Sequence, residues 1–229
     1  MPRIARVLTI VTVSLLSGAL LAAAPAVDWS KVARPTAKGA YVLGNPAAPV
    51  KLVEYGSYTC SHCAEFAKAS APVLKEQMVK SGKLSLEYRH LIRDPADLGA
   101  AILARCAGPR GFATAHAMIF ATQDSWLPKL GAYQQAHPDI DQRPLIAQAR
   151  AYADAGGLTA AMRARGVTLP QINACFANKA EVDRITAMTS DAPIEVNSTP
   201  TFYLNATLQP PMGWEQLEPV LRAKIAQIR

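Results

Sequence analysis

Cys60-Ser61-His62-Cys63 follows closely on an apolar run, Val50 to Tyr55, and opens a stretch of helical periodicity. A thiol at the start of a helix faces unpaired backbone N–H groups and the positive end of the helix dipole, which favour thiolate over thiol. His62, when protonated, adds a second favourable charge beside the same sulfur. The two-residue gap puts both sulfurs on one helical turn, where they can close a small disulfide ring. Cys60, taken as the first helical residue, is then an exposed nucleophile and Cys63 a more buried resolving thiol. Thiol–disulfide exchange is the chemistry such a pair performs. Competing readings are a structural disulfide and a zinc or copper site. The metal reading needs more soft ligands, and no second Cys-x-x-Cys is present.

Far along the chain, Ser198-Thr199-Pro200-Thr201-Phe202 leads a proline into a strand. An ordinary strand start would tolerate this. The functional reading is a cis bond between Thr199 and Pro200, which turns the Thr199 backbone toward an extended peptide lying beside the cysteines. Glu54 shares a strand face with Val50 and Leu52. It is either a costly buried acid or a strand-end carboxylate reaching water. His90, His116 and His137 read as surface or capping residues. Cys106 and Cys175 sit inside separate Ala-rich helical segments. A structural disulfide between them is the leading use, and two free buried thiols the alternative.

These residues need a scaffold. Ala40 to Leu43 and Val50 to Tyr55 read as strands separated by a Gly- and Pro-bearing loop. A helix runs from Cys60 through Met78, kinked at Pro72, and Lys83 to Leu91 alternates as a strand. The first third is thus β-β-α-β, with its last strand parallel to the central one after a right-handed crossover. From Ala96 to Ser190 the texture is Ala-rich and helical, broken at Gly108-Pro109, Pro128, Pro138, Gly156-Gly157 and Gly166. Four to six helices and no strand are expected there. Thr201 to Leu204 is a short strand, with room for another before the turn at Pro210-Pro211, and Trp214 to Ile228 a final helix. The class is α/β, one sheet carrying an all-helical insertion.

The N-terminus has the order of a secretory signal peptide: a basic start, an apolar run from Val7 to Leu21, then small residues to Ala26. Cleavage after Ala26 is expected, giving a soluble exported protein; an uncleaved anchor is the alternative, but the run is short for a membrane span. Removing Arg3 and Arg6 lowers Lys+Arg from 24 to 22 against 17 acids, so the formal charge drops from +7 to +5. Those charges are scattered without interleaved aromatics, so no nucleic-acid partner is expected. Four cysteines suit an oxidising compartment.

Glu54-Tyr55-Gly56-Ser57-Tyr58-Thr59-Cys60-Ser61-His62-Cys63, taken with Thr199-Pro200-Thr201-Phe202, resembles the DsbA-like branch of the thioredoxin superfamily. The resemblance spans residues 40–229. It implies a thioredoxin-like fold, with halves at about 40–94 and 191–229 and a helical insertion at about 95–190, after an extension at 27–39. It further implies a periplasmic thiol:disulfide oxidoreductase that passes disulfides to reduced or unfolded exported proteins and is regenerated by a membrane quinone-linked oxidase. Cys60 would attack, Cys63 resolve, His62 favour the thiolate, Pro200 face the pair in cis and the Thr199 backbone hold the client. Glu54 would be a buried proton relay. No cofactor or metal is implied. Absence of a dimerisation segment suggests a monomer. The alternatives are a disulfide isomerase or reductase of the same fold, or a metal-binding or chaperone-like module without redox turnover.

Overall fold

In the computed structural model, which describes residues 27–228, the run Val50–Gly56 lies inside a six-stranded sheet. The expected leader, 1–26, is outside the described residues. The strands are β1 (Ala33–Pro35), β2 (Tyr41–Gly44), β3 (Val50–Gly56), β4 (Leu84–His90), β5 (Thr201–Leu204) and β6 (Thr207–Leu208), ordered β1-β2-β4-β3-β5-β6. β3 and β4 are parallel, with Val50 opposite Leu84 and Glu54 opposite Tyr88, and the other pairings are antiparallel. Period-two alternation turns Val50, Leu52 and Glu54 to the same side as Leu84, Leu86 and Tyr88, and this side is buried. β1 lies in the stretch read from sequence as a mere extension. Three residues leave no periodic signal, and Pro35 is tolerated because β1 is an edge strand.

The crossover from β3 to β4 is α1 (Ser61–Ser70) followed without a break by a π-helical stretch, Ala71–Val79. Pro72 has no N–H to give, and the backbone slips to wider bonding; the Lys80 N–H reaches the Lys75 carbonyl. The expected kink is a change of helix type. α1 buries Cys63 and Phe66, and Phe66 stacks at 4.6 Å from Phe202 on β5.

Seven helices occupy the insertion: α2 (Pro95–Cys106), α3 (Gly108–Ala121), α4 (Gln123–Ala136), α5 (Leu145–Ala155), α6 (Leu158–Arg163), α7 (Leu169–Ala177) and α8 (Lys179–Ser190). That exceeds the four to six expected. Pro128 lies inside α4 and breaks nothing, whereas the chain turns at Thr122, where no Gly or Pro marks it. α2 is the insertion's axis, buried from Ala96 through Arg105. Gly99 lets α5 close in: a Cβ there would sit 2.3 Å from the Ala149 carbonyl oxygen. Cys106 at the end of α2 is disulfide-bonded to Cys175 on α7, with Cα atoms 5.8 Å apart. The chain closes with α9 (Trp214–Ala226), which lays Trp214 against Phe66.

Candidate active site

β3 ends at Gly56, and the turn Ser57–Thr59 carries the chain to Cys60. Cys60 is the N-cap of α1, with extended backbone angles (φ −91°, ψ 119°), so it is not the first helical residue as the sequence suggested. Nor is it freely exposed, since only 3% of its surface is accessible. Its Sγ lies 3.2 Å from the Thr199 carbonyl oxygen, to which the thiol form donates, and the Thr199–Pro200 bond is cis. Cys63 lies one turn on, fully buried. Both are free thiols here.

Their acidities are driven apart. The hydrogen bond from Cys63 is the largest influence holding Cys60 down to about 5; Thr199, the Cys63 backbone N–H and the charge of Arg93 act the same way, and burial opposes. The same hydrogen bond pushes Cys63 far up, assisted by burial and by Glu54. A thiolate at Cys60 facing a protonated Cys63 is therefore the resting dithiol. The imidazole of His62, 76% exposed, sets its Nδ1 3.2 Å from Glu65 Oε2, and the basic side chain acting on Cys60 is Arg93.

The turn before Cys60 is held by the insertion. Asp94, the N-cap of α2, accepts from the Thr59 hydroxyl at 2.6 Å. Asp97, fully buried, accepts from the Ser57 hydroxyl at 2.6 Å, the Tyr58 N–H at 2.8 Å and the Arg93 N–H at 3.2 Å. Burial pushes its carboxyl up to about 7 despite these bonds. From the other side Gln123 donates from Nε2 to the carbonyls of Tyr58 (2.8 Å) and Cys60 (2.9 Å). Sequence reasoning missed Arg93, Asp94, Asp97 and Gln123. Asp94-Pro95-x-Asp97 is legible as a helix start, but nothing local says that both carboxylates also hold a turn 35 to 40 residues earlier.

Glu54 is 2% exposed, which excludes the strand-end carboxylate reaching water. Burial, and then the Cys60 thiolate, push it up to about 8. Among the described residues its Oε1 has no hydrogen-bond partner, and neither does the Tyr88 hydroxyl on the neighbouring strand. Gly56 leaves the space between them; a Cβ there would lie 2.8 Å from the hydroxyl and 3.0 Å from Oε1.

The histidine reading needs correction. His90 and His116 are buried; only His137 behaves as expected, capping α4 with Nδ1 2.9 Å from the Tyr133 carbonyl. His90 continues the inward alternation of Leu84, Leu86 and Tyr88, and His116 lies on the face of α3 that buries Phe112, Ile119 and Phe120. The His116 Nδ1 is 2.9 Å from the Tyr58 hydroxyl, and burial holds the imidazole down to about 3. Among the described residues no group of three or more His, Cys, Asp or Glu is placed to hold a metal ion.

A thioredoxin family model matches residues 36–223. A crystal structure of a protein-disulfide isomerase from Novosphingobium aromaticivorans aligns with 81% of this chain and 97% of its own, at 32% identity and a TM-score of 0.75. The chain belongs to the thioredoxin family. Wolbachia pipientis alpha-DsbA1 shares the fold, with a TM-score of 0.61 at 22% identity over 81% of this chain and 90% of its own. A Rickettsia conorii protein named for protein-disulfide oxidoreductase activity is 37% identical over 119 residues, 52% of this chain and 43% of that relative, so the chain spans less than half the length of the curated relative. Beside its cysteines the chain has a groove of about 520 Å³. Phe66, Pro200, Met212 and Trp214 give it apolar walls, and His62 and Thr199 border it. No described helix is long and apolar enough to cross a membrane.

Proposed function

We propose that this DsbA-like protein is a periplasmic disulfide donor for reduced exported proteins, delivered by a leader over residues 1–26. The observation that carries the reading is the divided acidity of Cys60 and Cys63, because a sulfur held down to about 5 is a good leaving group. A client thiolate attacks Cys60 Sγ of the Cys60–Cys63 disulfide, and Cys63 leaves as a thiolate. Glu54, pushed up to about 8, gives that sulfur its proton. A second client thiolate then attacks the client sulfur of the mixed disulfide; the client disulfide forms and Cys60 departs as a thiolate. The Thr199 backbone and Pro200 hold the client strand, and Cys106–Cys175 is structural. Two electrons stay on the dithiol, and a membrane quinone-linked oxidase is the acceptor that restores the disulfide. The protein acts as a monomer.

A second reading has one observation behind it: the Novosphingobium protein is named an isomerase. In an isomerase Cys60 would attack a client disulfide and be kept reduced. Acid-quenched alkylation of the protein in its own cells separates the two. A mostly disulfide Cys60–Cys63 supports the donor, and a mostly dithiol pair replaces it with the isomerase or reductase.

A further inference from the structure

The groove beside Cys60 has a sign of charge opposite to that of the whole chain. The chain carries a formal +7, yet no Lys or Arg among the described residues lines this groove, whereas Glu65 and Glu215 do. Both are exposed, and they stand on different elements, α1 and α9. Glu65 has only the neighbouring His62 as ion partner, and Glu215 has none among the described residues. Glu215 in the first turn of α9 also suits the helix dipole, but Glu65 stands mid-helix, where the dipole gives no such reason. Between these carboxylates run the apolar walls, where Phe66 meets Trp214 edge-on at 6.1 Å.

We infer that the groove selects cysteine-bearing client segments that carry an apolar side chain and, a few residues from the cysteine, a lysine or arginine. The inference rests on the client reading above and adds the class of client. The apolar side chain takes the wall of Phe66, Met212 and Trp214, and the cation pairs with Glu65 or Glu215, which line the same groove. Attraction between exposed charges is modest, but client discrimination needs only a difference in rate between competing segments. The cationic side chain Arg93 acts on Cys60 itself, so the cation of the client belongs at the groove's carboxylates rather than at the reacting sulfur.

The test uses the oxidised full-length mature protein and three synthetic peptides, identical but for Lys, Gln or Glu at one position a few residues from a single cysteine and a leucine. Second-order rates of mixed-disulfide formation are measured at neutral pH and low ionic strength. One exposed pair gained with Lys and one like-charge contact met by Glu imply a Lys peptide about 2- to 20-fold faster than the Glu peptide. That ratio should fall toward one in Glu65→Gln, Glu215→Gln double-variant protein, and also near 1 M salt, where the screening length is about 3 Å. A ratio near one in the unaltered protein, a reversed ratio, or a ratio that survives in the double variant overturns the inference while leaving the donor reading intact. If the Gln peptide forms no mixed disulfide at all, the client reading itself fails, and the inference with it.

Discussion

Asp97 Oδ2 accepts a 2.6 Å hydrogen bond from the Ser57 hydroxyl, and by this contact the first helix of the insertion grips the turn that ends at Cys60. The insertion is thus part of the apparatus that aims the sulfur. Replacing Asp97 with Ala takes the acceptor from the buried Tyr58 N–H and from the Arg93 N–H, and leaves the Ser57 hydroxyl only its contacts with Thr59. Each N–H left without a partner costs about 1–3 kcal/mol, so a total loss of about 2–6 kcal/mol is expected from denaturant midpoints. Alkylation of Cys60 should slow as well. A variant as stable as the parent would mean that the turn holds itself.

The acidity of Cys60 depends first on its partner. Cys63→Ala should raise the Cys60 pKa from about 5 toward the ordinary thiol value, and by more than His62→Ala does, because the hydrogen bond from Cys63 is the largest influence on it and the His62 ring turns to Glu65. Thiolate absorbance against pH measures both variants. A larger effect from His62→Ala would show that the imidazole swings over the sulfur in solution.

Glu54 should make the reduced protein less stable as pH rises. Its folded pKa is raised from 4.5 to about 8, so between those values the native state holds a proton that the unfolded chain has lost. The native state is then favoured fully below the unfolded value and loses stability as pH climbs toward about 8, by up to about 1.4 kcal/mol per pH unit. Unfolding free energies of parent and Glu54→Gln across this range should converge at the acid end and part at the alkaline end. Parallel curves would place Glu54 in water.

Cys106–Cys175 closes a loop with a sequence separation of 69. Replacing both cysteines with Ala should cost about 4 kcal/mol by the chain-entropy estimate, read from chemical unfolding, with thiol exchange at Cys60 retained. Loss of exchange in a folded variant would give this disulfide a role in the chemistry.

Much of this site was legible in the sequence because its chemistry is local. Cys60 and Cys63 are one turn apart in any helix, and alternation through Val50, Leu52 and Glu54 puts the acid on the inward face of a strand, with only its burial left open. The same alternation through Leu84, Leu86 and Tyr88 carries His90 inward, although histidine's usual preference for the surface argued otherwise. Asp97 and Gln123 were illegible, since their partners at Ser57, Tyr58 and Cys60 are brought to them only by packing of the insertion. The turn at Thr122 and the tolerated Pro128 were hidden for a related reason: helix boundaries there follow tertiary contacts rather than Gly or Pro.

The central claim is that the fold favours the open dithiol, so that its disulfide is readily given away. Cys60 has a folded pKa of about 5, well below the unfolded value near ~8.5, so its contribution to the reduced protein grows as pH rises between them and is lost as pH falls through about 5, while the burial of Glu54 acts on both redox forms. At neutral pH the thiolate contributes about 3 kcal/mol, against about 2 kcal/mol from closing so small a ring. The decisive measurement compares unfolding free energies of the oxidised protein and of protein reduced only at Cys60–Cys63, with Cys106–Cys175 intact, from pH 5 to 8. Reduced protein should be the more stable by about 1 kcal/mol at neutral pH, with a gap that widens by about 1.4 kcal/mol per pH unit. A more stable oxidised form across that range would contradict the account and make Cys60–Cys63 a reductant's pair or a structural bond.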